Sequence, residues 1–289
     1  MGSATVRRPA VAGTFYAGQE KSLRAQIESS FTHRLGPGDV PKVNDEGARQ
    51  IIGIVCPHAG YVYSGPVAAH AYASLAHDGR PDVVVLIGPN HRRYGADIAI
   101  DSTQYWQTPL GLAPVDTQMA LDIQSKAPAV EIDPVAHLYE HSLEVQLPFL
   151  QYVYGESIRI VPILMASQDF NLSAELGRAI ASAGRNANLV IIASTDLTHY
   201  ETQEKAVRDD QLILEAITRI APADLLRIVS KQHITMCGPG PVAAMLVAAQ
   251  VLGATHATIL RYATSGDVSG DYSQIVGYTA AQVTRTERR

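Results

Sequence analysis

The sequence predicts an α/β domain in which helices cover both faces of a central, mixed but mostly parallel sheet. Three short runs, at 51–55, 82–87 and 188–193, are almost continuously apolar, as strands buried on both faces are. Helical stretches separate these runs along the chain, which is the order that joins parallel strands through helical crossovers. A β-rich stretch at 274–283 predicts an additional, antiparallel strand.

The other elements follow from the local pattern of apolar residues, proline and glycine. Small or apolar residues at helical spacing predict helices at 66–76, 116–125, 172–183, 203–218, 222–232 and 241–252. Short β-rich runs predict strands at 157–164 and 258–262 and a short edge strand at 96–100. A further helix is expected to begin at 142. Pro148 is expected to bend or end it, because proline lacks the N–H group that a helix interior uses.

Length and composition set the broad class of the protein. Residues 1–289 fit a single domain, in which the polar, Gly- and Pro-rich segment 35–50 forms a surface loop. The net charge of −5 argues against nucleic-acid binding, and no apolar run reaches the roughly 20 residues of a membrane helix. With only two cysteines the chain is not a disulfide scaffold. We therefore expect a cytoplasmic protein that associates with neither nucleic acid nor membrane.

Each of the three apolar strands is followed by a loop that carries a histidine. His58, His91 and His199 follow the first, second and third of these strands, and Asp196 shares the third loop with His199. Ligands of open α/β sheets bind beyond the carboxyl ends of the strands, so we expect these loops to form one site. His199 is expected to act as a general acid or base, because imidazole titrates near neutral pH.

Cys237 lies in a fourth loop, which is rich in glycine and proline and leads into the apolar helix at 241–252. The N–H groups and the dipole at a helix start stabilise a thiolate. We therefore expect the pKa of Cys237 to be lowered and this cysteine to be the more reactive of the two. Cys56 ends a buried strand and is expected to be inert.

The segment Glu140–Glu144 combines acid, imidazole and hydroxyl groups. Ser142 can cap the helix that follows, and His141 and Glu144 would then lie three residues apart on one helix face. Either Asp196 or Glu144 is expected to orient a histidine by accepting a hydrogen bond from its second ring nitrogen.

Two histidines and one cysteine, here His58, His91 and Cys237, can hold a metal ion with open positions for water or substrate. This donor set suits Fe(II), Zn(II) and copper. Alternatively, the histidines could join Arg92 or Arg93 in binding an anionic group such as that of a phosphorylated peptide. The accompanying acid and base groups favour a metal-dependent redox enzyme over such a binding module.

The motifs of this chain, in their order, resemble those of the Memo family. They extend over nearly the whole chain and comprise Ala12–Tyr16, Pro57–Tyr61, Ile87–His91, Glu140–Glu144 with Leu147–Pro148, Ser194–Asp196 with His199, and Cys237–Gly238. The resemblance implies a fold like that of the class III extradiol (LigB-type) non-haem iron dioxygenases.

The resemblance also implies site residues and partners. His58 and His91 match two metal-ligand histidines, and Cys237 stands where the dioxygenases offer a glutamate. Fe(II) is then the expected cofactor, with copper or zinc as alternatives, and the pocket would take a small molecule or a peptide. A pathway shared with radical-SAM proteins is also implied. The catalytic set that we expect comprises His199, Asp196, His141 and Glu144.

Overall fold

The computed structural model describes residues 4–285. The strands are β1 (Val6–Arg7), β2 (Ile51–Cys56), β3 (Val83–Pro89), β4 (Ile98–Ile100), β5 (Tyr105–Thr108), β6 (Gly111–Pro114), β7 (Val130–Ile132), β8 (Arg159–Met165), β9 (Leu189–Ser194), β10 (His199–Glu201), β11 (His256–Thr264) and β12 (Ile275–Thr284). The helices are α1 (Glu20–Thr32), α2 (Tyr61–Asp78), α3 (Thr117–Gln124), α4 (Leu147–Tyr154), α5 (Phe170–Ala183), α6 (Gln203–Thr218), α7 (Pro222–Gln232), α8 (Pro239–Val251) and α9 (Ser265–Ser269). Two 3₁₀ turns lie at Pro134–His137 and Glu144–Gln146.

One nine-stranded sheet organises the fold. Its order is β10-β12-β2-β9-β3-β8-β4-β7, with β11 paired to β12. The central strands β2, β9, β3 and β8 are mutually parallel, whereas β12 is antiparallel to β2 and β4 is antiparallel to β8. A separate three-stranded sheet joins β1, β5 and β6. The predicted single-domain α/β fold with a mixed central sheet is therefore confirmed.

Helices cover both faces of the large sheet, as the continuous apolar strands predict. In β3, Val84 and Leu86 point into one hydrophobic cluster, and Val83, Val85 and Ile87 point into the other. The first cluster includes residues of α1, α2 and α4, and the second includes residues of α3 and of α5 to α8. Within residues 4–285, no helix has the length and apolar character that crossing a membrane requires.

Two of the local predictions are wrong. Pro148 does not end a helix but stands in the first turn of α4, where its missing N–H has no helical partner to lose. The sequence predicts β4 at the edge of the sheet, but β7 pairs with the outer side of β4. β4 is therefore the second strand from that edge. The polar segment 35–50 carries neither helix nor strand, and its backbone is tied to the end of α2 by the Arg49 N–H, which donates to the carbonyl of Asp78.

Candidate metal centre

Three loops that are remote in sequence converge beyond the carboxyl ends of β2, β3 and β9. They bring His58 and His91 together, with ring centroids 5.2 Å apart, and the loop before α8 adds Cys237. One potential ligand atom from each of these three side chains lies within 4.8 Å of the other two. The structure thus brings together the three residues that the sequence singled out as metal ligands.

A buried carboxylate, Glu140, stands behind His91. It accepts hydrogen bonds from the His91 backbone N–H at 2.6 Å and from His91 Nδ1 at 3.0 Å. A carboxylate that accepts from Nδ1 leaves the lone pair on Nε2, which is the arrangement that a metal-binding imidazole needs. Burial alone would raise the pKa of Glu140, but the hydrogen bonds from His141 and His91 outweigh it and hold that pKa well below its usual range.

His141 shares the same carboxylate. Its Nδ1 lies 3.1 Å from Glu140 Oε1, and its ring is stacked on His91 with centroids 4.7 Å apart. It also lies 5.4 Å from His58 and 4.6 Å from Phe15, measured between ring centroids. His141 is therefore a neighbour of the three candidate ligands, with its Nε2 available to a molecule in the cavity.

His58 is buried at the base of the site. Its backbone N–H donates to Asp196 Oδ1 at 2.8 Å, and its Nδ1 lies 2.9 Å from the hydroxyl oxygen of Ser194. Burial lowers the pKa of His58 well below its usual range, and the neighbouring His141 and His91 lower it further. The ring is therefore neutral, which is the form that binds a metal.

Cys237 completes the cluster, although its predicted acidity is wrong. Its Sγ lies 3.2 Å from His58 Nε2 and accepts a hydrogen bond from the Asp196 backbone N–H at 3.1 Å. Burial raises the pKa of the Cys237 thiol, and the charge of Asp196 raises it further. The sequence had predicted a lowered pKa.

The first turn of α8 explains this difference. Pro239 and Pro241 have no N–H, and the N–H of Gly240 donates to Gln168 Oε1 at 2.9 Å. The groups that would stabilise a thiolate at a helix start are thus missing or already bonded. Gln168 also donates to the carbonyl of Cys237 at 3.0 Å, so its amide bridges both ends of this turn.

A cavity of about 520 Å³ opens above the cluster. Its lining includes every predicted ligand and three of the four predicted catalytic residues. The lining residues are Phe15, His58, Ala59, Gly60, His91, His141, Asp196, His199, Tyr200, Thr235, Cys237 and Val276. This volume is in the range of small-molecule sites.

His199 lies in the wall of this cavity. Its Nδ1 is 2.9 Å from the carbonyl oxygen of Thr235, and because a carbonyl only accepts, Nδ1 carries the hydrogen and Nε2 keeps its lone pair. Tyr200, the next residue, has a backbone φ of 59°, in the left-handed region that side chains avoid. Burial raises the pKa of Asp196, which increases its tendency to hold a proton.

Glu144, the fourth predicted catalytic residue, lies elsewhere. Its carboxylate pairs with the buried Arg7 and accepts the hydroxyl of Tyr16 at 2.7 Å. It also accepts the backbone N–H groups of Ala10 at 2.7 Å and Val11 at 3.0 Å. No histidine is among the partners of Glu144 in the described part of the chain, so it holds the N-terminal segment in place. The histidine-orienting carboxylate is Glu140.

Sequence reasoning missed Gln146 and took Ser142 for a helix cap, although both residues fix the loops from behind. Ser142 donates its hydroxyl to the carbonyl of Pro89 at 2.9 Å, and a side chain at Gly88 would collide with it. Gln146 donates to the carbonyl of Pro57 at 2.9 Å. The signal that could have revealed them is their place in one short segment with Glu140, a cluster of polar residues before the apolar helix α4.

Comparisons with known proteins point to one family. The family model described as Memo-like protein matches residues 7–282. A MEMO1 family protein of Methanopyrus kandleri is 49% identical over 276 residues, which cover 95% of this chain and 97% of that protein. A MEMO1 family protein of Methanothermobacter thermautotrophicus is 47% identical over 277 residues, or 94% of this chain and 98% of that protein.

A solved structure shows a similar fold. The crystal structure of an uncharacterized protein from Escherichia coli K12 matches with a TM-score of 0.57 and 15% sequence identity. The match covers 81% of this chain and 100% of the other. At this identity, the likeness concerns the fold alone.

Proposed function

Because this chain belongs to the Memo family, we propose that it is a metal-dependent redox protein that holds one ion between His58, His91 and Cys237. Fe(II) is the ion we propose first, with copper as the redox-active alternative. Zinc also suits two imidazoles and a thiolate, but it would make the site a Lewis acid without redox chemistry. The single observation that carries the proposal is the approach of the three ligand atoms to within 4.8 Å from three separate loops.

The donor set fits a metal ion for a second reason, which is the protonation of the groups around it. The neutral His58 ring and the Nε2 lone pair of His91 are in the forms that a metal requires. The raised pKa of Cys237 describes the thiol without an ion, and a bound cation displaces the thiol proton. When bound, a redox-active ion would supply electron transfer and Lewis acidity.

The surrounding residues supply proton transfer and positioning. His199 presents the lone pair of Nε2, so it can take a proton from a molecule in the cavity and later return it. Asp196 lines the same cavity and can hold a proton near His58. His141 is held by Glu140 and can donate or accept at its free ring nitrogen. We propose that these residues serve a small-molecule substrate.

The alternative of an anionic ligand is supported less well by the geometry. Arg92 and Arg93 are exposed, and neither lines the cavity. Among residues 4–285, no lysine or arginine contributes to the cavity wall, and the carboxylate of Asp196 does. An anion would therefore enter without a cationic side chain to pair with it. For this reason we place metal-dependent chemistry before the binding of a phosphorylated peptide.

The proposal is tested by loading the metal-free protein with Fe(II), Cu(I) or Zn(II) without oxygen and measuring metal per chain after desalting. One equivalent is expected for the native chain and for His77→Ala, a variant on α2 away from the cluster. The iron- or copper-loaded chain is then exposed to O₂ in an oxygen electrode with candidate reductants. His199→Ala should keep the metal and lose O₂ uptake, because its assigned role is proton transfer.

Two results would overturn the proposal. A native chain that retains no metal under any of these conditions contradicts the metal site. Binding of inorganic phosphate or phosphotyrosine by the metal-free chain, detected by calorimetry and lost in the double variant Arg92→Ala with Arg93→Ala, would favour the anionic-ligand hypothesis instead.

A further inference from the structure

A buried hydroxyl group lies behind His58 and has three polar partners. Ser194, the last residue of β9, has no exposed surface. Its Oγ lies 2.6 Å from the carbonyl oxygen of Ser142, 2.8 Å from Gln146 Nε2 and 2.9 Å from His58 Nδ1. A hydroxyl has one hydrogen to donate and two lone pairs to accept with, so these contacts can be assigned by counting protons.

Only one placement of the hydrogens satisfies all three contacts of the Ser194 hydroxyl. The carbonyl of Ser142 can only accept, so it takes the single hydroxyl hydrogen of Ser194. The amide nitrogen of Gln146 can only donate, so it occupies one lone pair of Ser194. The remaining lone pair faces His58 Nδ1, which must therefore carry a hydrogen.

The orientation of the Gln146 amide is itself fixed. Its Nε2 also faces the carbonyl oxygen of Pro57 at 2.9 Å, and its Oε1 accepts the hydroxyl of Tyr72 at 2.6 Å. A flipped amide would place its oxygen against two acceptors, the carbonyl of Pro57 and a Ser194 oxygen whose hydrogen is already used. The amide therefore has one orientation that satisfies all its neighbours.

We propose that Ser194, supported by Gln146, is a positioning residue that fixes the tautomer of His58. With the hydrogen held on Nδ1, the lone pair of His58 is confined to Nε2, the nitrogen 3.2 Å from Cys237 Sγ. The ring thus presents its only free donor atom to the place where the proposed ion would lie. This inference rests on the proposed function for the meaning of that lone pair, although the tautomer itself is a property of the metal-free chain.

Without Ser194, the local charges favour the other tautomer. Asp196 Oδ2 lies 4.0 Å from His58 Nε2, and a carboxylate attracts a hydrogen on that nitrogen. Without the Ser194 hydroxyl, a hydrogen on His58 Nδ1 would lose its acceptor, whereas Asp196 would still attract a hydrogen on Nε2. A ring that carries its hydrogen on Nε2 must give it up before a metal can bind there, so metal affinity would fall.

The tautomer can be read directly from the nitrogen chemical shifts of the imidazole rings. Long-range ¹H–¹⁵N NMR spectra of the metal-free chain should show His58 with the hydrogen on Nδ1, at least about tenfold over the other form, a ratio equivalent to about 1.4 kcal/mol. In Ser194→Ala the form with the hydrogen on Nε2 should become the major one. The matched control is Ser173→Ala, which removes another buried hydroxyl, one in α5 that donates to the carbonyl of Asp169 just before that helix.

Zinc affinity gives an independent reading. Competition with a chromophoric chelator should show Zn(II) bound about 10- to 100-fold more weakly by Ser194→Ala, and unchanged by Ser173→Ala. A native His58 with its hydrogen on Nε2 overturns the inference whatever the variants do. So does an unchanged tautomer in a folded Ser194→Ala.

The two proposals fail in different ways. If the native chain binds no Zn(II) but the His58 tautomer follows Ser194, the metal proposal fails and the positioning role of Ser194 stands. If Zn(II) binds equally well to native and Ser194→Ala chains with the same tautomer, the metal proposal stands and the role of Ser194 fails.

Discussion

Replacing Glu140 by alanine is expected to destabilise the fold and to release both of the histidines that its carboxylate holds. Glu140 is 2% exposed. Its carboxylate accepts four hydrogen bonds of 2.6 to 3.0 Å, from the backbone N–H groups of His91, His141 and Ser142 and from His91 Nδ1. His141 Nδ1 lies 3.1 Å from the same carboxylate. Removing it leaves the fully buried Ser142 N–H without a partner, which costs about 1 to 3 kcal/mol. The four other donors, which are the backbone N–H and Nδ1 of His91 and of His141, can bond to water in the cavity instead. The loss of each of these hydrogen bonds therefore lowers the stability by only about 0.5 kcal/mol.

The expected loss is therefore about 3 to 5 kcal/mol in the free energy of unfolding, measured by urea denaturation of the metal-free chain at pH 7. The control is Glu20→Ala, in which an exposed carboxylate is removed and the change should stay within about 0.5 kcal/mol. Zn(II) affinity should fall about 10- to 100-fold in Glu140→Ala, because His91 is no longer held in one orientation. A loss below about 1 kcal/mol with unchanged metal affinity would refute this reasoning.

The same carboxylate predicts how stability depends on pH. The folded-state pKa of Glu140 is depressed, so its contribution is present above the unfolded-state pKa of about 4.3 and is lost as pH falls toward the folded value. The difference in stability between native and Glu140→Gln chains should therefore narrow as the pH of the urea denaturation is lowered from about 5 to about 3. A difference that widens on acidification would show that the sign is wrong.

Two further predictions concern the cysteines and the N-terminal segment. At pH 8, iodoacetamide should label Cys237 before Cys56, as detected by peptide mapping, because Cys237 is half-buried and borders the cavity whereas Cys56 is buried. Bound Zn(II) should protect Cys237 from this labelling. Faster labelling of Cys56 would contradict the assignment. Arg7→Ala should lower the free energy of unfolding by about 3 to 5 kcal/mol, because it leaves the buried Glu144 carboxylate without its cation. Limited proteolysis should then cleave the chain near its N-terminus. A variant as stable and as protease-resistant as the native chain would refute this role of Arg7.

The positions of the two candidate ligand histidines could be predicted from the sequence because they depend on a rule that needs no long-range information. Continuous apolar runs identify parallel strands, and the residues after such strands share one edge of the sheet. His58 and His91 follow β2 and β3 directly, and the structure places them together. Helices α6 and α7 could likewise be located from local pattern, down to their first and last residues.

The supporting carboxylates could not be assigned in this way. The sequence offers Glu144 beside Asp196 as a histidine-orienting carboxylate, because helical spacing would align Glu144 with His141. The segment before α4 instead begins as a 3₁₀ turn at Glu144, and that alignment does not form. Its partner Arg7 is 137 residues away in sequence, and β1 has only two residues, too few to leave a pattern. Glu140 reaches His91 across 49 residues by a loop contact that periodicity does not report.

The acidity of Cys237 shows a related limit of local rules. A cysteine before a helix start is acidified only if N–H groups of the first turn point at its sulfur. Here proline occupies two of those positions and Gln168 takes the N–H of Gly240. Both prolines are visible in the sequence and argue against a lowered pKa of Cys237. The contact with Gln168, however, depends on a loop 72 residues away.

X-ray absorption at the zinc edge of the Zn(II)-loaded chain tests the central claim most directly. A site formed by His58, His91 and Cys237 predicts one sulfur neighbour at about 2.3 Å and two imidazole nitrogens at about 2.0 to 2.1 Å. The sulfur contribution should vanish in Cys237→Ala and persist in Cys56→Ala, which removes the cysteine buried at the end of β2. A native spectrum with nitrogen and oxygen neighbours but no sulfur would contradict the proposed metal centre.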